Sequence, residues 1–401
     1  MVGKDSSMLE KGAKMRVWWI LSLSFIIACA TVPPEETKPP TPPTAPEEAA
    51  RPSKATLYFS FGYDYYQKKM YPDAVKNFAK AIEESTSYVS AYVMLARSYT
   101  NMGEFAKAES VYFALLEAVP GELKAYYGLG KLHTIMGDYG RAIEYYNKAI
   151  ELNPSYGEAY YGLGYAYEKL GNTEKALEYY QKTLECEPNL AGVKYRMAKI
   201  YEALSEYDKV VEMLASLVEE HPEDIDSRKL LADAYIELEQ FDKALPHMQF
   251  LHERFTDNLE YCVKLARCYE GTANYEAARN LYLTAIEKDS TYAPAYYQLI
   301  RMDIKIKAFG EAERYIGIAK AHGIKTPIIF ALEGDLFRER GDSAYKQKRL
   351  REALDLYRRS RSIFTNVVNM GDPDWAEYAR KNIDVLNKKI KRTEDEIWWE
   401  Q

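Results

Sequence analysis

The chain is poor in the residues that catalytic and metal centres are built from. Its 401 residues include only five histidines and four cysteines, and none of them stands in a ligand pattern. No HExxH or H-x-x-x-H pair occurs; His247 and His252 are five apart and diverge on a helix. A zinc centre needs three or four such ligands converging on one point. Cys262 and Cys268 are six apart, about 9 Å along a helix axis and on different faces, too far apart for a disulfide. With Cys186 they read as small apolar core residues. "GLG" at 128–130 and 162–164 has neither a preceding strand nor a third glycine, so it is not a dinucleotide-binding turn. No nucleophile elbow or phosphate-binding lysine motif occurs either. The formal net charge is -7, whereas a nucleic-acid-binding domain is usually basic. These absences exclude the common enzyme classes and predict no catalytic residue, no cofactor, no metal, no nucleic-acid partner and no small-molecule substrate.

Long hydrophobic runs are also missing. The most apolar stretch, "VWWILSLSFIIACA" from Val17, holds about a dozen apolar residues, fewer than the ~20 that span a bilayer as a helix. Lys11, Lys14 and Arg16 precede it and small residues end it, the layout of a secretory signal. "IIAC" at 26–29 resembles the lipobox of bacterial lipoproteins. The resemblance implies that residues 1–28 are removed and that Cys29 carries the lipid; the bland alternative is an ordinary secretory signal with an incidental cysteine. Met1, Met8 and Met15 each remain a possible translation start. Residues 29–54 follow as a tether, with eight of the chain's 17 prolines between Pro33 and Pro52. Such a segment buries too little to fold, and at ~3.1 Å per residue it reaches roughly 70 Å.

What the chain has in abundance is tyrosine, 36 of them, and repetition. "AYYGLG" stands at 125–130 and again at 159–164, with the related "AYVMLA" at 91–96 and "AYYQLI" at 295–300. Repeats of 34 residues, opening at 55, 89, 123, 157, 191, 225, 259 and 293, bring these stretches into register. The eighth positions are small in seven of the eight (Gly62, Ala96, Gly130, Gly164, Ala198, Ala232, Ala266), and the twentieth are Ala in all but Val210. Large residues hold the twenty-fourth: Phe78, Tyr112, Tyr146, Tyr180, Leu214, Met248, Tyr282 and Ile316. Small residues let two helices approach and large ones fill the gap between them. Gly103, Gly137 and Gly171 suit the turn between the halves, and Pro120, Pro154, Pro188 and Pro222 stop the second helix.

This pattern resembles the tetratricopeptide repeat (TPR). The implied fold is all-α, a superhelical solenoid of about nine helix-turn-helix repeats: eight over 55–326, an insertion and a ninth repeat over 327–367, and a capping helix over 368–401. Repeat eight fits worst, with Ile300 in place of a small residue and Asp303 in place of an aromatic one. That misfit and seven extra residues near "AHGIKTPI" lead us to expect a hinge before the ninth repeat. His133 stands where other repeats have Tyr and is expected in the core.

In the family, positions two, five, nine, twelve and thirteen of the first helix line the concave groove, and the residues at five, nine and twelve are carried over here. They give a partner-binding surface of Tyr63, Tyr66, Arg97, Tyr127, Lys131, Tyr161, Tyr165, Tyr195, Lys199, Arg267, Tyr297 and Arg301: tyrosines with a broken ladder of cations. Aromatics and Arg are the types enriched at binding hot spots. Chaperone-tail clamps of the family use Asn at position nine; none stands there, so an acidic chaperone tail is not the expected ligand. The expected function is a lipid-anchored scaffold that binds protein or peptide partners in the bacterial cell envelope, at the outer membrane facing the periplasm. A glycan-binding component of an export system is the alternative.

Overall fold

The structure, a computed structural model, describes residues 52–399. The signal segment, Cys29 and nearly all of the tether lie outside the described residues. Every regular element among the described residues is an α-helix. They form hairpins: α1 (Lys54–Gln67) with α2 (Tyr71–Glu84), α3 (Val89–Asn101) with α4 (Phe105–Ala118), and α5 (Leu123–Met136) with α6 (Tyr139–Leu152). Next come α7 (Gly157–Lys169) with α8 (Thr173–Cys186), α9 (Ala191–Ala203) with α10 (Tyr207–Glu220), and α11 (Ile225–Glu237) with α12 (Phe241–Arg254). The series ends with α13 (Leu259–Gly271) and α14 (Tyr275–Lys288), α15 (Ala293–Lys305) and α16 (Phe309–Ala321), α17 (Pro327–Lys346) and α18 (Leu350–Asn369), and α19 (Pro373–Trp399). No helix among the described residues is long and apolar enough to cross a membrane.

The turn inside each hairpin has one solution. The fifteenth residue of every repeat takes a left-handed backbone: Gly103, Gly137 and Gly171 at φ +76, +80 and +75°, and Lys69, Ser205, Glu239, Ala273, Lys307 and Lys348 at φ 55–62°. The chain then reverses so that the next N–H reaches back five residues, as Asp138 N does to His133 O at 2.9 Å and Glu104 N to Tyr99 O at 2.9 Å. That bond satisfies a carbonyl the helix end would otherwise leave bare.

Packing between hairpins explains the repeated "AYYGLG". The Tyr146 ring, 2% exposed, lies between Gly130 of its own repeat and Gly162 of the next. A Cβ at either glycine would sit 2.6 or 2.4 Å from ring carbons, so no larger residue fits. Tyr112 meets Gly128 in the same way, and Tyr180 meets Gly164. The position-20 alanines are fully buried. Burying rings of this size stabilises the array by roughly 1.5–3 kcal/mol each. Position seven shows what stacking does: Leu95, Leu129 and Leu163 are at most 8% exposed, but Phe61 in the first repeat is 48% exposed, since no described helix precedes α1.

Repeat eight is not degraded. Ile300 is fully buried, and the Asp303 carboxylate accepts from Arg279 Nη1 at 3.3 Å and from Nη2. Arg279 is position 21 of the preceding repeat. Repeat three does the same: buried His133 donates from Nε2 to Glu109 Oε1 at 3.2 Å, because a carboxylate can only accept. The five other repeats from two to seven put Tyr at position 11, and the residue 24 earlier is then aliphatic: Val75, Ile143, Leu177, Val211 and Leu245. A polar residue at position 11 therefore comes with its partner on the neighbouring repeat.

The seven extra residues are helical, and the expected hinge is corrected. Residues 327–333 form the first two turns of α17, and both α17 and α18 have 20 residues where other helices of the array have 13 or 14. Seven residues are close to two turns, so the lengthening leaves each face in phase. Ile324, Ile329, Leu332 and Leu336 share one core with Leu299, Ile300 and Ile316, so the ninth repeat stacks on the eighth without a break. α19 closes the array through Ala379, Leu386 and Ile390, with Trp375, Ile383 and Ile397 at the margin.

Candidate functional site

The odd-numbered helices pack on one another, α1 on α3, α3 on α5, α5 on α7, and make the wall on which the expected groove residues stand. Four of those residues share one cavity. Tyr66 of α1, Arg97 of α3, and Tyr127 and Lys131 of α5 line a space of about 440 Å³ together with Asn101, Tyr112 and Lys124. Gly128 shapes its floor by leaving room for the Tyr112 ring. Asn101 Nδ2 donates to Tyr66 Oη at 2.9 Å and fixes that ring. The Arg97 guanidinium lies 5.9 Å from the Tyr66 centroid, and the Lys131 ammonium 6.0 Å from the Tyr127 centroid.

The charge of this cavity is one-sided. Arg97, Lys124 and Lys131 line it and no Asp or Glu does. Loss of water and the neighbouring Arg97 hold the Lys131 amine below its usual range. Burial pushes the Tyr112 hydroxyl up to about 12, so it stays protonated as a donor. Tyr127 is likewise raised, first by burial and then by Glu158. Three cationic groups with no carboxylate among the lining residues, beside neutral phenols, outweigh Glu158, which acts on Tyr127 and Tyr156, and make a place where an anion is stabilised.

A second cavity of about 640 Å³ opens between α7 and α9, lined by Tyr161, Tyr195 and Lys199 together with Arg196, Glu168, Ile200, Ala203 and Leu204. Its charges are already spent. Arg196 Nε donates to Tyr161 Oη at 3.0 Å, Nη1 lies 3.3 Å from Glu168, and the guanidinium sits 4.9 Å from the Tyr165 centroid. Glu168 also accepts from Tyr180 Oη at 2.5 Å. Lys199 is held by Glu202 at 2.5 Å, which raises its pKa. The sequence reading missed Arg196 and Glu168. The signal was there: position six is Gly128 and Gly162 in repeats three and four and becomes Arg196 in repeat five.

The other expected residues stand apart. Tyr63 is exposed, its ring stacked on Phe59 at 6.3 Å. Arg267 lies 3.8 Å from Glu237, and Tyr297 bonds Thr326 at 2.8 Å. Arg301 lines a third cavity of about 560 Å³ near Asp335, Trp375 and Tyr378. Within the expected broken ladder the cations thus differ: Lys199 and Arg267 are paired, while Arg97 and Lys131 line one cavity that no carboxylate lines.

Tetratricopeptide repeat models match residues 136–191 and residues 65–132, 171–234 and 235–302, together more than half of the chain. Among solved structures, the chain is similar to pilF of Pseudomonas aeruginosa at 21% identity, over 52% of this chain and 95% of that one, with a TM-score of 0.45. It is also similar to a thermophilic TPR protein of Thermus thermophilus, at 22% identity over 45% and 99% of the two chains, with a TM-score of 0.38. A third is a Parabacteroides merdae tetratricopeptide repeat protein, at 18% identity over 62% and 98%, with a TM-score of 0.40. No curated protein matches the chain. The repeat matches over these residues and the helical hairpins stacked through 54–369 carry one conclusion: the chain belongs to the tetratricopeptide repeat family.

Proposed function

We propose that the chain is a lipid-anchored scaffold of the bacterial cell envelope that holds a protein partner in its concave groove, with an acidic, extended segment of that partner seated on Arg97, Lys124 and Lys131. Tetratricopeptide repeat proteins are typically non-enzymatic scaffolds for protein–protein interaction. The observation that carries the acidic specificity is the cavity across α1, α3 and α5, where three cations meet no carboxylate. Carboxylate-bearing side chains of a partner would find there the donors that solvent supplies elsewhere, and exposed phenol rings would take the flanking apolar groups. Anchoring rests on "IIAC" at 26–29 and the proline-rich tether after it; on that reading the scaffold sits at the outer membrane and faces the periplasm.

The test is affinity capture from solubilised envelopes. Arg97→Glu with Lys131→Glu is expected to lower capture of the native partner by ten-fold or more, equivalent to ~1.4 kcal/mol, and rising salt is expected to weaken wild-type capture. Capture unaffected by either would contradict the acidic-ligand reading; salt-independent capture that fails on removing tyrosines would favour a glycan. Separately, Cys29→Ser is expected to release the folded array from membranes.

A further inference from the structure

The proposal here rests on the groove reading above and names the partner segment more closely. The two central cavities lie side by side along the same wall, yet they ask for opposite chemistries. The first is lined by Arg97, Lys124 and Lys131 and by no carboxylate. In the second, the cations are neutralised by the protein itself, Arg196 by Glu168 at 3.3 Å and Lys199 by Glu202 at 2.5 Å. What the second cavity leaves for a guest is apolar: the faces of Tyr161 and Tyr195, and Ile200, Ala203 and Leu204, of which Leu204 is 48% exposed. Its volume of about 640 Å³ is ample for an aromatic side chain.

The separation follows from the architecture. The first cavity is centred between α3 and α5, the second between α7 and α9, two steps along the row of odd helices. α3 with α5 and α5 with α7 pack at roughly 8–10 Å, and α7 and α9 stand wider around the second cavity, so the centres are roughly 20 Å apart. An extended chain advances roughly 3.3 Å per residue, so about five or six residues span them. Tyr127 of α5 lines the first cavity and Tyr161 of α7 the second, so each cavity offers an aromatic ring on neighbouring helices of the wall. We infer that the groove reads a bipartite segment: one or two acidic residues at the α3–α5 cavity and, about six residues away, a large apolar or aromatic side chain inserted between α7 and α9. Arg196 is the specificity-determining residue of the second half. Its guanidinium, held over Tyr165 and bonded to Tyr161, walls the cavity with neutral faces and keeps Glu168 from presenting a free charge.

Fluorescence anisotropy with the full chain tests this. The probes are fluorescein-labelled synthetic peptides with Asp-Asp at one end and Phe at the other, joined by Gly-Ser spacers of about five or about two residues, and a control with Ser in place of Phe. The five-residue spacer is expected to bind about ten-fold more tightly than either the two-residue spacer or the Ser control. Ala203→Trp, a change at an exposed helix end that fills the second cavity, is expected to erase that ten-fold gain and leave binding of the Ser control as it was. Arg97→Glu is expected to weaken every peptide. A gain from Phe that survives Ala203→Trp, or that ignores spacer length, overturns the bipartite segment while leaving the acidic site standing. Peptides bound equally by wild type and Arg97→Glu overturn the acidic site itself.

Discussion

The Arg279–Asp303 pair offers the sharpest test of how the array is held together. Asp303 is fully buried and Arg279 is its ion partner from the preceding repeat. Replacing Arg279 with Leu leaves a carboxylate in an apolar junction without its cation, which destabilises by about 3–5 kcal/mol. The double change Arg279→Leu with Asp303→Tyr installs the aliphatic–tyrosine pair that five other junctions use, Leu245 with Tyr269 among them. Replacing a buried pair by well-packed apolar groups is neutral or stabilising by about 1–4 kcal/mol, so the double variant is expected to regain at least wild-type stability. The pH dependence has a definite sign. Burial, outweighing Arg279, pushes the Asp303 carboxyl from 3.8 up to about 6. Between those values the folded state binds the proton that the unfolded state has lost, so this group's contribution to stability is full below pH 4, falls as pH rises to 6, and is level above it. The span corresponds to roughly 3 kcal/mol. Arg279→Leu removes the opposing cation, so that variant is expected to be more stable at pH 5 than at pH 7.5, and the double variant to show no such difference. Repeat arrays need not unfold in one step, so the readout is amide hydrogen exchange in α14 and α15, supported by thermal denaturation followed by circular dichroism. A double variant as weakened as the single one would refute the reasoning.

Other junctions and turns give further expectations. Gly162→Ala places a Cβ 2.4 Å from the Tyr146 ring and is expected to lower stability by about 1–3 kcal/mol, with Tyr146→Leu in the same chain restoring most of it in a denaturant titration. Glu239→Gly and Ser205→Gly relieve left-handed residues at φ 55° and 58°; each is expected to raise stability by about 0.5–1 kcal/mol after the unfolded-state entropy of glycine is counted, read as a shift of the denaturation midpoint. Glu109→Leu alone leaves His133 without its acceptor and is expected to cost about 1–3 kcal/mol, whereas Glu109→Leu with His133→Tyr is expected to recover it. In partner capture, Tyr161→Ala with Tyr165→Ala is expected to act more strongly than Arg97→Glu with Lys131→Glu, because buried rings exceed ~2 kcal/mol on truncation while exposed ion pairs give ~0–1; the reverse order would assign the affinity to charge.

Much of this fold was written in the residue spacing. The 34-residue period, the small residues at Gly130 and Ala142 and the large one at Tyr146 imply helical hairpins stacked in series, and the helices run as that register requires. The errors came from reading each repeat alone. Asp303 looked like decay because its partner, Arg279, lies 24 residues away on another hairpin; His133 and Glu109 repeat the same separation. The seven residues before the ninth repeat looked like a break because an insertion of two helical turns preserves every face while displacing the register. For the groove, family positions nominated residues by the face they occupy, and Tyr66, Arg97, Tyr127 and Lys131 do share a cavity. The charge state of that face was not legible. Whether a lysine is free depends on which carboxylate lies beside it: Lys199 has Glu202, three residues on, and Lys131 has none lining its cavity. Arg196 escaped because in repeats three and four its position packs against the preceding hairpin, as Gly162 does against Tyr146.

Site-specific photo-cross-linking inside intact envelopes tests the central claim most directly. A photoreactive phenylalanine analogue at Tyr127, beside the carboxylate-free cavity, is compared with the same residue at Glu178, exposed on α8. If the concave groove holds the partner, position 127 captures a discrete protein adduct that Arg97→Glu with Lys131→Glu abolishes, and position 178 captures none. An adduct formed from position 178 and absent from 127, or one from 127 that the double reversal leaves intact, would contradict it.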